Sequence, residues 1–183
     1  ANGLGAHYGS QLKNLIVVSM GTGTSFVKVE DGKIQHIGGI GIGGGTIQGL
    51  SRLLLKTHDI HQVVEMAQKG IVENIDLQIK DICNAALPGL PLNATASTFG
   101  KADSNSSLED VAAGIIHMVL QSIGQSVILA ALNSSIKDFV LIGNLAKLPQ
   151  CKEVFPIMED MYQCHFLIPE YAQYRTAKHA ALA

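Results

Sequence analysis

Two clusters of glycine and hydroxyl residues stand close together in the chain. The first is Gly21-Thr22-Gly23-Thr24-Ser25; the second holds Gly38, Gly39, Gly41, Gly43, Gly44 and Gly45, just before Thr46. Glycine allows unusual φ angles and close approach, so converging backbone amides can grip several oxygens of a phosphate chain. The hydroxyls of Thr22, Thr24 and Ser25 would add donors at the first bend. The second bend precedes Ile47, Leu50, Leu53 and Leu54, a spacing that predicts a helix whose N-terminal dipole favours an anion. Together the bends form a candidate polyphosphate cradle. A tight turn or a close packing contact explains either bend alone equally well.

Other chemistries fit less well. Gly39-x-Gly41-x-x-Gly44 matches the dinucleotide fingerprint, with Asp59 or Glu65 at a suitable distance for a ribose. That fingerprint requires a buried parallel strand before it. Here Lys33 to Ile37 alternates polar with apolar after the hairpin signal Asp31-Gly32, which predicts an antiparallel strand. No Walker sequence occurs. His58 and His61 are spaced i,i+3 without a third ligand and read as a solvated helix edge, so no metal site is assigned. Glu65, Glu109, Asp110 and Glu159 read as solvated faces or helix-start charges, and His117 as a core or interface histidine. No carboxylate in the chain is assigned to catalysis.

The elements that must position the bends form an α/β pattern. Leu15 to Met20 is a short β-branched apolar run, as expected of a buried strand, and it feeds the first bend. Phe26 to Val29 and Lys33 to Ile37 complete an antiparallel three-stranded meander. Val63 to Gln68 and Ile75 to Ala86 predict helices, the second closed by Pro88-Gly89 and Pro91. From Leu108 to Leu132, Val111, Ile115, Val119, Ile123 and Val127 recur every fourth residue; this stripe suits a core as well as a dimer seam. Phe139 to Ile142 is a second buried-strand run ending in the turn Gly143-Asn144. A helix around Val154 to Met161 and a strand from His165 to Ile168 follow.

The chain has 183 residues, 47% of them hydrophobic, enough for an ordinary core. Charged residues are 15% and the net charge is -2, with no basic run to engage nucleic acid or an anionic membrane. Polar residues interrupt the apolar stretch from Ile115 to Leu132, which argues against a membrane span. Cys83, Cys151 and Cys164 are odd in number and lack CxxC spacing, which suits packing in a reducing cytoplasm.

The ordered set G-T-G-T-S at Gly21 to Ser25, G-G-I-G-I-G-G-G-T at Gly38 to Thr46, M-A-Q-K-G at Met66 to Gly70, N-I-D-L at Asn74 to Leu77 and T-A-S-T-F-G at Thr95 to Gly100 resembles the type II pantothenate kinases. The likeness extends through Val140 to Asn144. It implies an actin-like, ribonuclease H-like ATPase fold, with a mixed sheet and flanking helices. It also implies phosphorylation of pantothenate by ATP and Mg²⁺, the first step towards coenzyme A, by a cytoplasmic homodimer. Gly21, Thr22, Gly23, Thr24 and Ser25 would then form the second phosphate loop. Gly43, Gly44 and Gly45 would line the nucleotide cleft, Gly143 and Asn144 would lie near the adenosine, and Thr95 and Ala96 in the pantothenate pocket. His36 stands where bacterial members carry a substrate-holding arginine; it cannot offer a bidentate fork. A sugar or other small-molecule kinase, or a non-catalytic nucleotide or acyl-coenzyme A binding module, therefore stays open. The family's first phosphate loop and its general-base glutamate fall before Ala1. Residues 1–183 are thus expected to be a single C-terminal nucleotide-binding lobe that does not turn over alone.

Overall fold

The computed structural model describes residues 13–83, 85 and 89–169. In chain order these form β1 (Leu15–Met20), β2 (Thr24–Glu30), β3 (Lys33–Ile40), α1 (Gly44–Leu50) continued by a π-helical turn (Ser51–Leu55), and α2 (Ile60–Lys69). A 3-10 turn (Val72–Asn74), β4 (Leu77–Gln78), the one-turn α3 (Ile79–Ile82), β5 (Thr95–Ser97) and α4 (Leu108–Ala131) come next. The chain continues with β6 (Asp138–Ile142), a second 3-10 turn (Asn144–Lys147), α5 (Cys151–Tyr162) and β7 (His165–Leu167). The described residues fall into two compact units, one within Ala1–Thr46 and Leu120–Ala183, the other within Ile47–Val119.

The first unit is built on a five-stranded mixed sheet in the order β3-β2-β1-β6-β7. β1 pairs antiparallel with β2, and β2 with β3, which is the expected meander. β1 and β6 are parallel, as are β6 and β7. Asp31 and Gly32 both take positive φ (48° and 76°), the twist a two-residue hairpin needs. Apolar β1 is the central strand, and Leu15, Ile16, Val17 and Val18 are fully buried. On one face Leu15, Val17, Val27, Val29, Val140 and Ile142 form a single cluster. On the other, Phe166 of β7 stacks at 5.2 Å from Phe139 and 4.6 Å from Phe155 of α5.

α4 begins in the second unit and, from Leu120, belongs to the first. Ile115, Val119, Ile123 and Val127 are all 0% exposed. At these four positions the stripe is core, whereas Val111, at its start, is half-buried. By length and composition α4 is apolar enough to cross a membrane, yet 61% of its most apolar window is buried inside the chain.

In the second unit, β4 and β5 form a two-stranded antiparallel sheet. The helix expected from Ile75 to Ala86 is not formed. Residues 77–78 are a strand and only 79–82 are helical; Ala86 and Pro88 lie outside the described residues. Asp76 accepts the Phe99 N–H at 2.8 Å, which holds the chain extended into β4, and the helix starts only at Ile79, where Asp81 accepts the Gln78 N–H at 2.8 Å as part of a capping box. Asp110, in the first turn of α4, accepts the Ile71 N–H at 2.7 Å and the Asn74 amide at 3.1 Å. Asp110 is thus a tie between segments and not merely a solvated helix-start charge.

The Ile71 amide first, then Asn74 and Ser107, hold the Asp110 carboxyl below its ordinary value of 3.8 against an opposing effect of burial. A lowered folded value stabilises the protein above the ordinary value and is lost as pH falls through the folded one. Asp110→Asn is therefore expected to reduce stability at neutral pH and to converge on the parent well below pH 3.8. Urea denaturation across a descending pH series checks this; a constant difference would contradict it.

Candidate functional site

β1 and β6 run parallel, so their carboxyl ends lie side by side, the edge of an α/β sheet where ligands commonly bind. The first glycine bend leaves β1 there and the Gly143-Asn144 turn leaves β6. The second bend arrives from the end of β3.

Backbone hydrogen bonds tie the two glycine bends together. The Gly44 N–H donates to the Gly21 carbonyl at 2.8 Å, and the Gly45 N–H to the Thr22 carbonyl at 2.9 Å. The Thr24 hydroxyl, on a residue only 5% exposed, donates to the Ile42 carbonyl at 2.8 Å. Within the bends, the Gly21 N–H reaches the Gly23 carbonyl at 2.9 Å and the Gly43 N–H the Thr46 hydroxyl at 3.2 Å. The contact between them leaves no room for a side chain. A Cβ on Gly43 would lie 2.6 Å from the Thr22 carbonyl oxygen, 2.8 Å from that of Gly21 and 2.8 Å from the Gly23 Cα. At the third turn Gly143 has φ +100°, and a Cβ there would overlap the Met20 carbonyl. Leu145, just beyond, lies 3.8 Å from the Cβ position of Gly44.

This geometry sorts the donors. The first amides of α1, on Gly44 and Gly45, are spent on the first bend, and the Thr24 hydroxyl of the first bend is spent in return on the Ile42 carbonyl of the second. The second bend consequently acts as a support, where sequence alone suggested a helix end open to an anion. Neither the Thr22 nor the Gly23 amide takes part in these bonds, and Gly21 and Thr22 are exposed. The three bends, Gly21 to Ser25, Gly38 to Thr46 and Gly143 to Ala146, contain no ionisable side chain, so an anion here would meet backbone and hydroxyl dipoles.

The cluster thus unites Gly21, Thr22, Gly23, Thr24, Ser25, Gly43, Gly44, Gly45, Gly143 and Asn144. His36 belongs to the same unit, exposed on the sheet's edge strand and paired with Val27. A bulge separates its pairing from that of Gly38 with Phe26. Thr95 and Ala96 belong to the other unit, on β5, where Thr95 pairs with Gln78. Burial pushes the thiols of Cys151 and Cys164 up to about 12 and about 11, so neither is a nucleophile near neutrality. Among the described residues no group of three His, Cys, Asp or Glu gathers to hold a metal. Sequence reading missed one cluster: Asp76 and His117, 2.7 Å apart, with the Phe99 amide on the same carboxylate. An aspartate between Ile75 and Leu77 in an apolar stretch was the available signal.

Fold and site together define an α/β protein with interlocked glycine bends at the carboxyl ends of two parallel strands. The family model described as Fumble matches residues 8–153, and the chain belongs to the Fumble family. A type II pantothenate kinase of Bacillus cereus (strain G9842) is 30% identical over 167 residues, 90% of this chain and 57% of that protein. Pantothenate kinase 1 of Arabidopsis thaliana is 36% identical over 138 residues, 70% of this chain and 36% of that protein. A 4'-phosphopantetheine phosphatase of Mus musculus is 41% identical over 116 residues, 60% of this chain and 14% of that protein. The chain spans 57% or less of the length of each of these three relatives.

The contact geometry predicts a contrast between neighbours. Gly43→Ala should cost about 1–3 kcal/mol, because backbone and not a movable side chain blocks the new methyl. Gly41→Ala, with nothing within 4 Å of its Cβ, should be close to neutral. Urea denaturation of the two variants checks this; equal effects would contradict the interlock.

Proposed function

We propose that this chain is the nucleotide-binding part of an actin-like pantothenate kinase, which in the intact protein transfers the γ-phosphoryl group of ATP to the terminal hydroxyl of pantothenate. The observation that carries this is the interlock of the two glycine bends, in which the Thr22 and Gly23 amides, at its edge, take no part. Membership of the Fumble family, and the named activity of the Bacillus cereus and Arabidopsis thaliana relatives, support the substrate. The sheet, with its antiparallel meander followed by parallel strands, is consistent with an actin-like lobe.

In this reading Gly21 to Ser25 face the phosphates, Gly43 to Gly45 brace them, and Gly143 with Asn144 adjoins the adenosine. His36, Thr95 and Ala96 belong to the pantothenate side. Catalysis is positioning and charge stabilisation: fixed amide dipoles meet the charge that spreads over the moving phosphoryl group. Mg²⁺ neutralises phosphate charge and needs few protein ligands, so it would be carried largely by the nucleotide and water beside the Thr22 and Ser25 hydroxyls. A cytoplasmic homodimer belongs to the same proposal.

One observation favours a second reading, that of a binding module without kinase activity: the mouse relative at 41% identity bears a phosphatase name. Activity of the intact protein separates the two. The kinase releases ADP from ATP only when pantothenate is present, whereas the binding module takes up ATP without turnover. Gly23→Val, whose Cβ would already lie 3.1 Å from the Ile40 carbonyl oxygen, should weaken calorimetric ATP affinity by about tenfold or more. Unchanged affinity would refute the cradle, and ADP release independent of pantothenate would refute the substrate.

A further inference from the structure

Asp76 is 0% exposed, and a buried carboxylate is costly unless both oxygens are satisfied. Oδ1 accepts the Phe99 N–H at 2.8 Å, and Oδ2 lies 2.7 Å from His117 Nδ1, the histidine side chain being 17% exposed. With the carboxylate as acceptor, Nδ1 carries the proton. Phe99 itself has φ +57°, a conformation that a bulky residue adopts only when its surroundings impose it. Those surroundings are visible. The Gly100 N–H bonds to the Ser97 carbonyl at 3.2 Å and the Lys101 N–H to the Ile75 carbonyl at 2.8 Å. The Phe99 ring and Ile75 close on Gly114, where a Cβ would be 3.2 Å from Phe99 Cζ and 2.7 Å from Ile75 Cγ2. Gly114 and His117 are one turn apart on α4, so a single helix face holds both the ring and the carboxylate.

Asp76 lies immediately before β4, and Phe99 two residues after β5, its ladder partner. The carboxylate therefore closes the open end of this small sheet and sets where β5 sits. We propose that Asp76 and His117 are positioning residues for the acceptor substrate: His117 fixes the Asp76 carboxylate, the carboxylate fixes the strained Phe99 turn, and that turn fixes Thr95 and Ala96. This rests on the reading, given above, that Thr95 and Ala96 meet pantothenate. Neither residue of the pair touches the reacting atoms.

The test is steady-state kinetics of the intact protein. His117→Gln, whose amide extends beyond the Nδ1 position, should raise KM for pantothenate about tenfold, the effect of one charge-assisted hydrogen bond, and leave KM for ATP unchanged. His117→Asn, whose amide can take the place of Nδ1, should stay within about twofold of the parent. A purely structural role would move both KM values and would not be rescued selectively. Thr95→Asp tests the underlying reading separately by placing a charge on the strand. If it leaves KM for pantothenate unchanged, β5 is not at the substrate and both readings fall. If it raises that KM while His117→Gln does not, the positioning role alone falls. Hydrogen exchange at the Phe99 amide of the parent protein needs no variant: strong protection is expected, and exchange at the rate of an open amide would overturn the clamp.

Discussion

Two backbone hydrogen bonds, from the Gly44 and Gly45 amides to the Gly21 and Thr22 carbonyls, are the constraint on which the candidate site depends. They draw main chain so close to main chain that a Cβ on Gly43 would lie 2.6 Å from the Thr22 carbonyl oxygen and 2.8 Å from that of Gly21. They also sort the donors: the Gly44 and Gly45 amides of the second bend are used, and the Thr22 and Gly23 amides at the tip of the first take no part in these bonds. Everything else in the first unit serves to bring these segments to one edge. Buried β1 delivers the first bend, the hairpin at Asp31-Gly32 returns the chain along β3 to deliver the second, and β6 brings Gly143 alongside Met20.

The two units use different chemistry to hold their irregular segments. In the first, neutral backbone and hydroxyl groups interlock, and the bends themselves carry no ionisable side chain. In the second, aspartates act as ties: Asp76 on Phe99, Asp110 on Ile71 and Asn74. A carboxylate can accept several amides at once, so it stabilises short, irregular chain where no long ladder can form. Such ties suit a segment whose shape, and not its regularity, is what matters.

Much of the fold was legible because periodicity reports burial directly. β1, β6 and α4 carry continuous or four-residue apolar patterns, and each forms close to its expected bounds. The meander was legible from Asp31-Gly32. The stretch after Ile75 was not, because apolar residues at helical spacing there coexist with Asp76, which captures the distant Phe99 amide, and such a long-range bond leaves no local signature. For the same reason the glycine bends were recognisable as bends, but not the direction of their support. Nothing in Gly44-Gly45 says that its amides face a carbonyl of Gly21 or Thr22 instead of a ligand. The Asp76–His117 pair spans 41 positions and was invisible to spacing altogether.

The measurement that bears most directly on the central claim is a crystal structure of the intact protein with a non-hydrolysable ATP analogue. The account predicts phosphate oxygens within hydrogen-bonding distance of the Thr22 and Gly23 amides, with the Gly44 and Gly45 amides still bonded to Gly21 and Thr22. A triphosphate bound away from the first bend, or one that takes the Gly44 and Gly45 amides for itself, would contradict it.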